Sequence, residues 1–315
     1  MKLNIVTGKQ QRAQRVCFYG VESVGKTTLA AQAESPVFLD VENGTAHLDV
    51  PRLSVKSWGE LIDAVRALAT SEYKQFRTVV LDSIDWAERL CIEDLKAEKK
   101  IKSLEEIPYG KGFTMASERM ARFLNELDRL IDMGTHVVLI GHAQVKRVEP
   151  PDQVQAYDRY ELKLLKQTGP LVKEWVDHLF FLNFKTRIVE SESGKAKGRG
   201  GKERVVLTSH SAAYDAKTRS DLAEELPMSW ESVAPIFGKV SAPAPVAAVK
   251  AYAQSEPVST YLEPHEIGVN AFLVLRGVIQ EGQTWRNAPE NYLIRITKDP
   301  ATFLKAVAEI QSKAA

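Results

Sequence analysis

Gly20–Thr28 reads Gly-Val-Glu-Ser-Val-Gly-Lys-Thr-Thr, and this stretch decides how the rest of the chain is parsed. Its first eight residues match G-x-x-x-x-G-K-[ST]. Gly20 and Gly25 let the backbone curl so that the N–H groups of Val21, Glu22, Ser23 and Val24 can point inward at phosphate oxygens. Lys26 reaches terminal phosphates, the Thr27 hydroxyl suits Mg²⁺, and Thr28 closes the segment. The context supports more than a chance match. The apolar run Arg15–Gly20 (RVCFYG) reads as a strand, and Lys26–Glu34 reads as the helix that follows it.

Working outward, the pattern of strand and helix repeats. Pro36–Val41 is a second short strand. Trp58–Thr70 is helical, with Leu61, Val65 and Leu68 on one face. Thr78–Asp82 is a buried strand, Asp85–Lys99 a helix, Thr114–Met133 a long amphipathic helix closed by Gly134, and Thr135–Ile140 another apolar strand. Continuous apolar strands alternating with helices predict an α/β fold with a mainly parallel central sheet covered on both faces. After Gly141 the sequence turns polar and irregular. Two strands, His178–Val189 and Glu203–Thr208, then read as a C-terminal β-hairpin extension with a Gly/Lys/Arg tip over Ser191–Lys202. An Ala/Pro-rich tract reads as a linker. The expected organisation is an extension over 1–14, a core over 15–237, a linker over 238–260 and a small separate C-terminal module over 261–315.

Composition narrows the class without choosing a function. Across 315 residues, 44% are hydrophobic and 26% charged, as expected of a globular protein. A net charge of +1 excludes bulk attraction to polyanions, so any such site must be a local patch. The two cysteines, Cys17 and Cys91, lack metal-ligand spacing and read as buried residues in a reducing compartment. No apolar run is long enough to span a membrane, so no membrane partner is expected and the localisation expected is cytoplasmic.

A phosphate-binding loop needs an acidic strand end to hold Mg²⁺ through water, and Asp82 closes Val79-Val80-Leu81-Asp82. Hydrolysis needs a carboxylate to orient water. Glu42, after Phe38-Leu39-Asp40-Val41, is the first candidate and Asp40 the second.

Taken together these residues resemble the RecA-like P-loop NTPase core. Such ATPases place a glutamate after the strand that follows the P-loop helix, as FLDVEN does with Glu42. Their next core strand ends in Asp-Ser, as in Asp82-Ser83, and a later strand ends in a polar γ-phosphate sensor, which implies that role for His142 in Leu139-Ile140-Gly141-His142. More narrowly, Tyr109-Gly110-Lys111-Gly112, LIGH and Trp175-Val176-Asp177 are similar to elements of phage-encoded RecA-core ATPases, a family that includes recombinases associated with single-strand annealing. In a phage protein the compartment would be the host cytoplasm. The strand ends in Gly-His where RecA has Asn-Gln, so strand exchange does not transfer automatically.

The resemblance implies further sites. Asp215-Ala216-Lys217-Thr218-Arg219 looks like the Lys-x-Arg element inserted into a neighbouring subunit's site. It would make Lys217 and Arg219 trans-acting in a homo-oligomer with ATP and Mg²⁺ between subunits; the P-loop itself offers no cation but Lys26. Two loops would face single-stranded DNA, Lys96–Gly112 with Lys99 and Lys102, and Ala143–Gly169 with Lys146, Arg147, Tyr157, Arg159, Tyr160 and Lys163. The hairpin tip adds Lys197 and Arg199. The expected activity is DNA-dependent ATP hydrolysis in recombination or replication, with a single-strand-binding or replication protein on the C-terminal module. The alternatives are a loader that remodels a replicative helicase and a nucleotide-gated scaffold.

Overall fold

The computed structural model describes residues 7–8, 11–149, 155–190, 196–238, 269–270, 273 and 278–280; for 186–190 and 196–200 it describes the backbone alone. The chain divides into two compact units, Met1–Pro243 and Ala244–Ala315. In the second unit the described residues include Val269 and Leu273, both buried. The expected linker and most of the expected C-terminal module lie outside the described residues.

The first unit is built on one sheet. Its strands are β1 (Arg15–Gly20), β2 (Pro36–Asp40), β3 (Arg52–Ser54), β4 (Thr78–Asp82), β5 (His136–Val148), β6 (Tyr157–Leu162), β7 (His178–Glu190), β8 (Ala196–Leu207) and β9 (Glu225–Pro227). The helices are α1 (Lys26–Ala30), α2 (Trp58–Leu68), α3 (Ile84–Lys99), α4 (Lys111–Asp132), α5 (Thr168–Trp175) and α6 (Trp230–Val233). The sheet runs β3-β2-β4-β5-β1-β7-β8-β9, with β6 paired to β5 off this path. From β3 to β7 every pairing along the path is parallel, and β8 is antiparallel to both β7 and β9. This is an α/β fold with a mostly parallel sheet.

The apolar runs of β1, β4 and β5 follow from burial on both faces. Along β1, Cys17 and Tyr19 enter the core layer that also holds Leu61, Cys91, Phe123 and Leu127. Val16 and Phe18 enter the opposite layer with Leu29, Ala30, Val233 and Ile236. That alternation is the period-two geometry of a strand, and each fully buried side chain of this size contributes about 1.5–3 kcal/mol. In α4, Met120, Phe123, Leu124, Leu127, Leu130 and Ile131 recur at helical spacing, all buried. Ser57 caps α2 by accepting the Glu60 N–H at 3.2 Å, and Glu60 returns a bond to the Lys56 N–H.

Three expectations are corrected. β5 does not stop at Ile140 but continues to Val148 and pairs with β6, so much of the supposed Ala143–Gly169 loop is an antiparallel hairpin. Residues 196–202 of the supposed hairpin tip belong to β8, paired with β7 up to Glu190↔Ala196. The helix after the P-loop ends at Ala30 rather than Glu34. The Arg/Asp/Glu-rich β6 was illegible because its backbone is satisfied by the outgrowing end of β5, not by apolar packing on both sides.

Candidate nucleotide site

Parallel order places the carboxyl ends of β2, β4, β5 and β1 side by side, where an α/β sheet offers a crevice. Asp40 lies opposite Asp82, Asp82 opposite Ile140, and Gly20 opposite His142. Gly20 must lack a side chain here, because a Cβ would lie 2.1 Å from the Leu182 carbonyl oxygen of β7. The loop then curls through left-handed residues at Ser23 (φ 57°) and Gly25 (φ 103°) before α1 begins.

A cleft of about 370 Å³ opens over this loop and is lined by Lys26, Thr27, Glu42, Asp82 and His142 among others. Lys26 Nζ donates to the carbonyls of Gly20 (3.1 Å) and Val21 (3.0 Å). Thr27 Oγ1 donates to Asp82 Oδ2 at 2.8 Å. The Ser83 hydroxyl donates to Glu42 Oε2 at 3.2 Å, and His142 Nε2 lies 3.9 Å from the same oxygen. Sequence order alone would not guarantee this convergence; the strand order produces it.

Asp40 takes no part. Its carboxylate accepts the Gly44 and Thr45 N–H groups, both at 3.1 Å, and the Thr45 hydroxyl. The second candidate for water activation is therefore an anchor of the turn that carries Glu42.

The electrostatics fit a bound cation. Burial pushes Asp82 up to about 6, with Glu42 and Asp40 adding repulsion against the Thr27 hydrogen bond. Burial also lowers Lys26, against the pull of Asp82, Asp85 and Glu42. A divalent cation beside Thr27 and Asp82 would restore the carboxylate there. Among the described residues no group of three or more His, Cys, Asp or Glu is arranged to hold a metal by itself.

The remaining candidates separate into those facing outward and those tied into the fold. Tyr157, Lys146 and Arg147 stand on the β5–β6 hairpin, where Lys146 pairs with Glu161 at 3.4 Å. Lys99 ends α3 and pairs with Glu98, and Lys102 follows it in the loop. Lys163 donates its N–H to the His142 carbonyl at 2.9 Å. The backbone places Lys197 and Arg199 in the outer part of β8, and their side chains lie outside the described residues. Arg159 and Tyr160 have partners within the fold. Arg159, 12% exposed at its side chain, pairs with Asp215, and Tyr160 stacks on Phe181 at 5.0 Å.

Lys217 is held within its own chain. Its Nζ donates to the Lys173 and Glu174 carbonyls, capping the last turn of α5, and its strand bridge to Leu179 puts it at the start of β7, away from the P-loop end. Arg219 stays 61% exposed beside Asp177 at 3.2 Å.

Two residues escaped the sequence reading. Arg204 on β8 donates Nη1 to the Val24 carbonyl at 3.1 Å, so Lys26 is not the sole cation at the P-loop. Nothing in the sequence signals this, because β8 reaches the loop only through its pairing with β7. Tyr109, at φ 60°, is 96% exposed between the lysines of α3 and α4. An aromatic before Gly110 was the available signal.

A family described as an AAA domain matches residues 12–220. No protein of curated function matches the chain. The solved structures similar to it include the RadB recombinase, 14% identical, with a TM-score of 0.39, covering 70% of this chain and 90% of that one. Since the family match spans well over half of the sequence, the chain belongs to this family of AAA domains.

Proposed function

We propose that the protein hydrolyses Mg²⁺-ATP and couples that reaction to single-stranded DNA. The carrying observation is the cleft where Lys26, the Thr27–Asp82 pair, Glu42 and His142 meet. When bound, Mg²⁺-ATP supplies the transferable phosphoryl group and the charge that balances it. Lys26 would hold terminal phosphate oxygens, Thr27 and Asp82 would hold the cation, and Glu42 would orient water and take its proton. His142 stands where a polar side chain can register the γ-phosphate.

Continuity of β5 supports the DNA-linked part of the reading. His142 and the exposed hairpin residues Val145, Lys146 and Arg147 lie on one strand, so a shift at His142 is felt along the hairpin. Tyr109 offers a base-stacking face beside the cationic stretch Lys99–Lys111, and stacking is worth about 1–3 kcal/mol per base. The phage origin, the recombination role and a separable C-terminal module belong to the same proposal.

Turnover measured with and without single-stranded DNA tests it. Stimulation is expected, with Tyr109→Ala weakening DNA affinity about 5-fold or more while basal turnover stays unchanged. Stimulation by a replication protein alone would instead favour a remodelling ATPase, and binding without turnover a scaffold.

Assembly has its own test. Arg219→Ala and Arg204→Ala should both slow hydrolysis, since an arginine near developing phosphate charge is worth about 10³ or more in rate. Only Arg219→Ala should regain activity on mixing with Lys26→Ala protein, because Arg204 serves its own P-loop. Equal recovery, or none under subunit exchange, removes the trans role of Arg219.

A further inference from the structure

We propose that Asp85 is a positioning residue of this site: it turns Nδ1 of His142 away from the nucleotide cleft and thereby presents Nε2 beside Glu42. One carboxylate grips both backbone and ring of the same residue. Asp85 Oδ1 accepts the His142 N–H at 3.2 Å, and Oδ1 and Oδ2 lie 3.1 and 3.0 Å from Nδ1. An ionised carboxylate only accepts, so Nδ1 carries a proton and the tautomer is fixed, leaving Nε2 to the cleft. The same logic governs histidines that ligate metals, where the partner of the far nitrogen sets ring orientation.

The grip is rigid. Asp85 is 8% exposed in the first turn of α3, where the helix terminus favours a carboxylate. Burial would raise its pKa, but the bonds and charge of His142 hold it below the usual carboxylate range, and His142 in turn is raised chiefly by the Asp85 bond. One helical turn on, Glu88 Oε2 accepts the Leu165 N–H at 3.0 Å. The Lys163 N–H meanwhile bonds the His142 carbonyl. Helix α3 therefore holds the strand that carries His142 and the segment returning from β6. His142 cannot reorient its ring unless Asp85 lets go.

This inference rests on the reading of the cleft as a hydrolytic site, so the experiment has one arm that needs no turnover. In the full chain with ¹⁵N-labelled histidine, NMR should show His142 as the Nδ1–H tautomer above its titration. Asp85→Asn, which keeps an oxygen for the backbone N–H, should convert it toward Nε2–H with little change in Tm. An Nε2–H tautomer in the wild type overturns the proposal even if the variant does not fold. In the second arm, Asp85→Asn should leave ATP affinity within about 2-fold and lower kcat about 10–100-fold. It should cost nothing more when added to His142→Ala. An equal loss in the His142→Ala background, or loss of ATP affinity in step with Tm, also overturns it. A wild type without hydrolysis sinks the hydrolytic reading, while the tautomer arm still decides what Asp85 does.

Discussion

Lys26→Ala is expected to cut ATP turnover by about 10³-fold or more while leaving the chain folded. The ammonium is the P-loop's own cation, beside Arg204 reaching in from β8, and the residue is only 7% exposed. The carbonyls of Gly20 and Val21 hold it, so its position is set by the loop itself. Binding then exchanges those carbonyls for phosphate oxygens with little motion. Losing the two bonds should cost about 1 kcal/mol each at most, since both carbonyls border a cleft that water enters. A small fall in Tm beside a large fall in nucleotide affinity or rate is the expected pair of results. Titration with a non-hydrolysable ATP analogue, alongside steady-state turnover, measures both. Unchanged affinity and rate would remove Lys26 from the site and the proposed chemistry with it.

The fold was legible where burial on two faces left an unbroken apolar signature. Arg15–Gly20 and Thr78–Asp82 coincide with β1 and β4 because nothing else in the sequence competes with runs such as VCFY and TVVL. Legibility failed where pairing, not burial, sustains a strand. Tyr157–Leu162 alternates charges and aromatics, and its backbone finds partners in the outgrowth of β5 beyond Ile140 and, at Tyr160, in Ala213 and Asp215. The site divides the same way. Its in-sequence part, the P-loop and the strand-end acids, is local chemistry on predictable elements. Arg204 and Asp85 act across elements, through β7–β8 pairing and through the approach of α3 to β5, and no spacing encodes either. The internal partners of other candidates were hidden for the same reason. Lys217, Arg159 and Tyr160 looked available because their partners, the end of α5, Asp215 and Phe181, come from distant sequence.

Glu42→Gln should keep ATP bound within a few-fold yet slow hydrolysis about 10²–10⁴-fold, the usual worth of a positioned base. The amide oxygen still accepts from the Ser83 hydroxyl, so the side chain stays in place, but it cannot take a proton from water. His142 Nε2, 3.9 Å from the carboxylate, stays beside it, so the γ-phosphate side of the cleft is unchanged. The informative control is Asp40→Asn. Asp40 is 3% exposed, and its carboxylate is spent on the Gly44 and Thr45 amides and the Thr45 hydroxyl. An amide nitrogen cannot accept from those donors, so Asp40→Asn should destabilise the turn by about 1–3 kcal/mol. Turnover should then fall only as far as the displaced Glu42 dictates. Thermal melts, ATP affinity and single-turnover rates on both variants separate the roles. Asp40→Asn with a normal Tm, intact affinity and no hydrolysis, beside an active Glu42→Gln, would move the base to Asp40. The opposite outcome, a stable and ATP-bound but slow Glu42→Gln protein, is what the direction of each carboxylate dictates: one faces its own loop, the other the cleft.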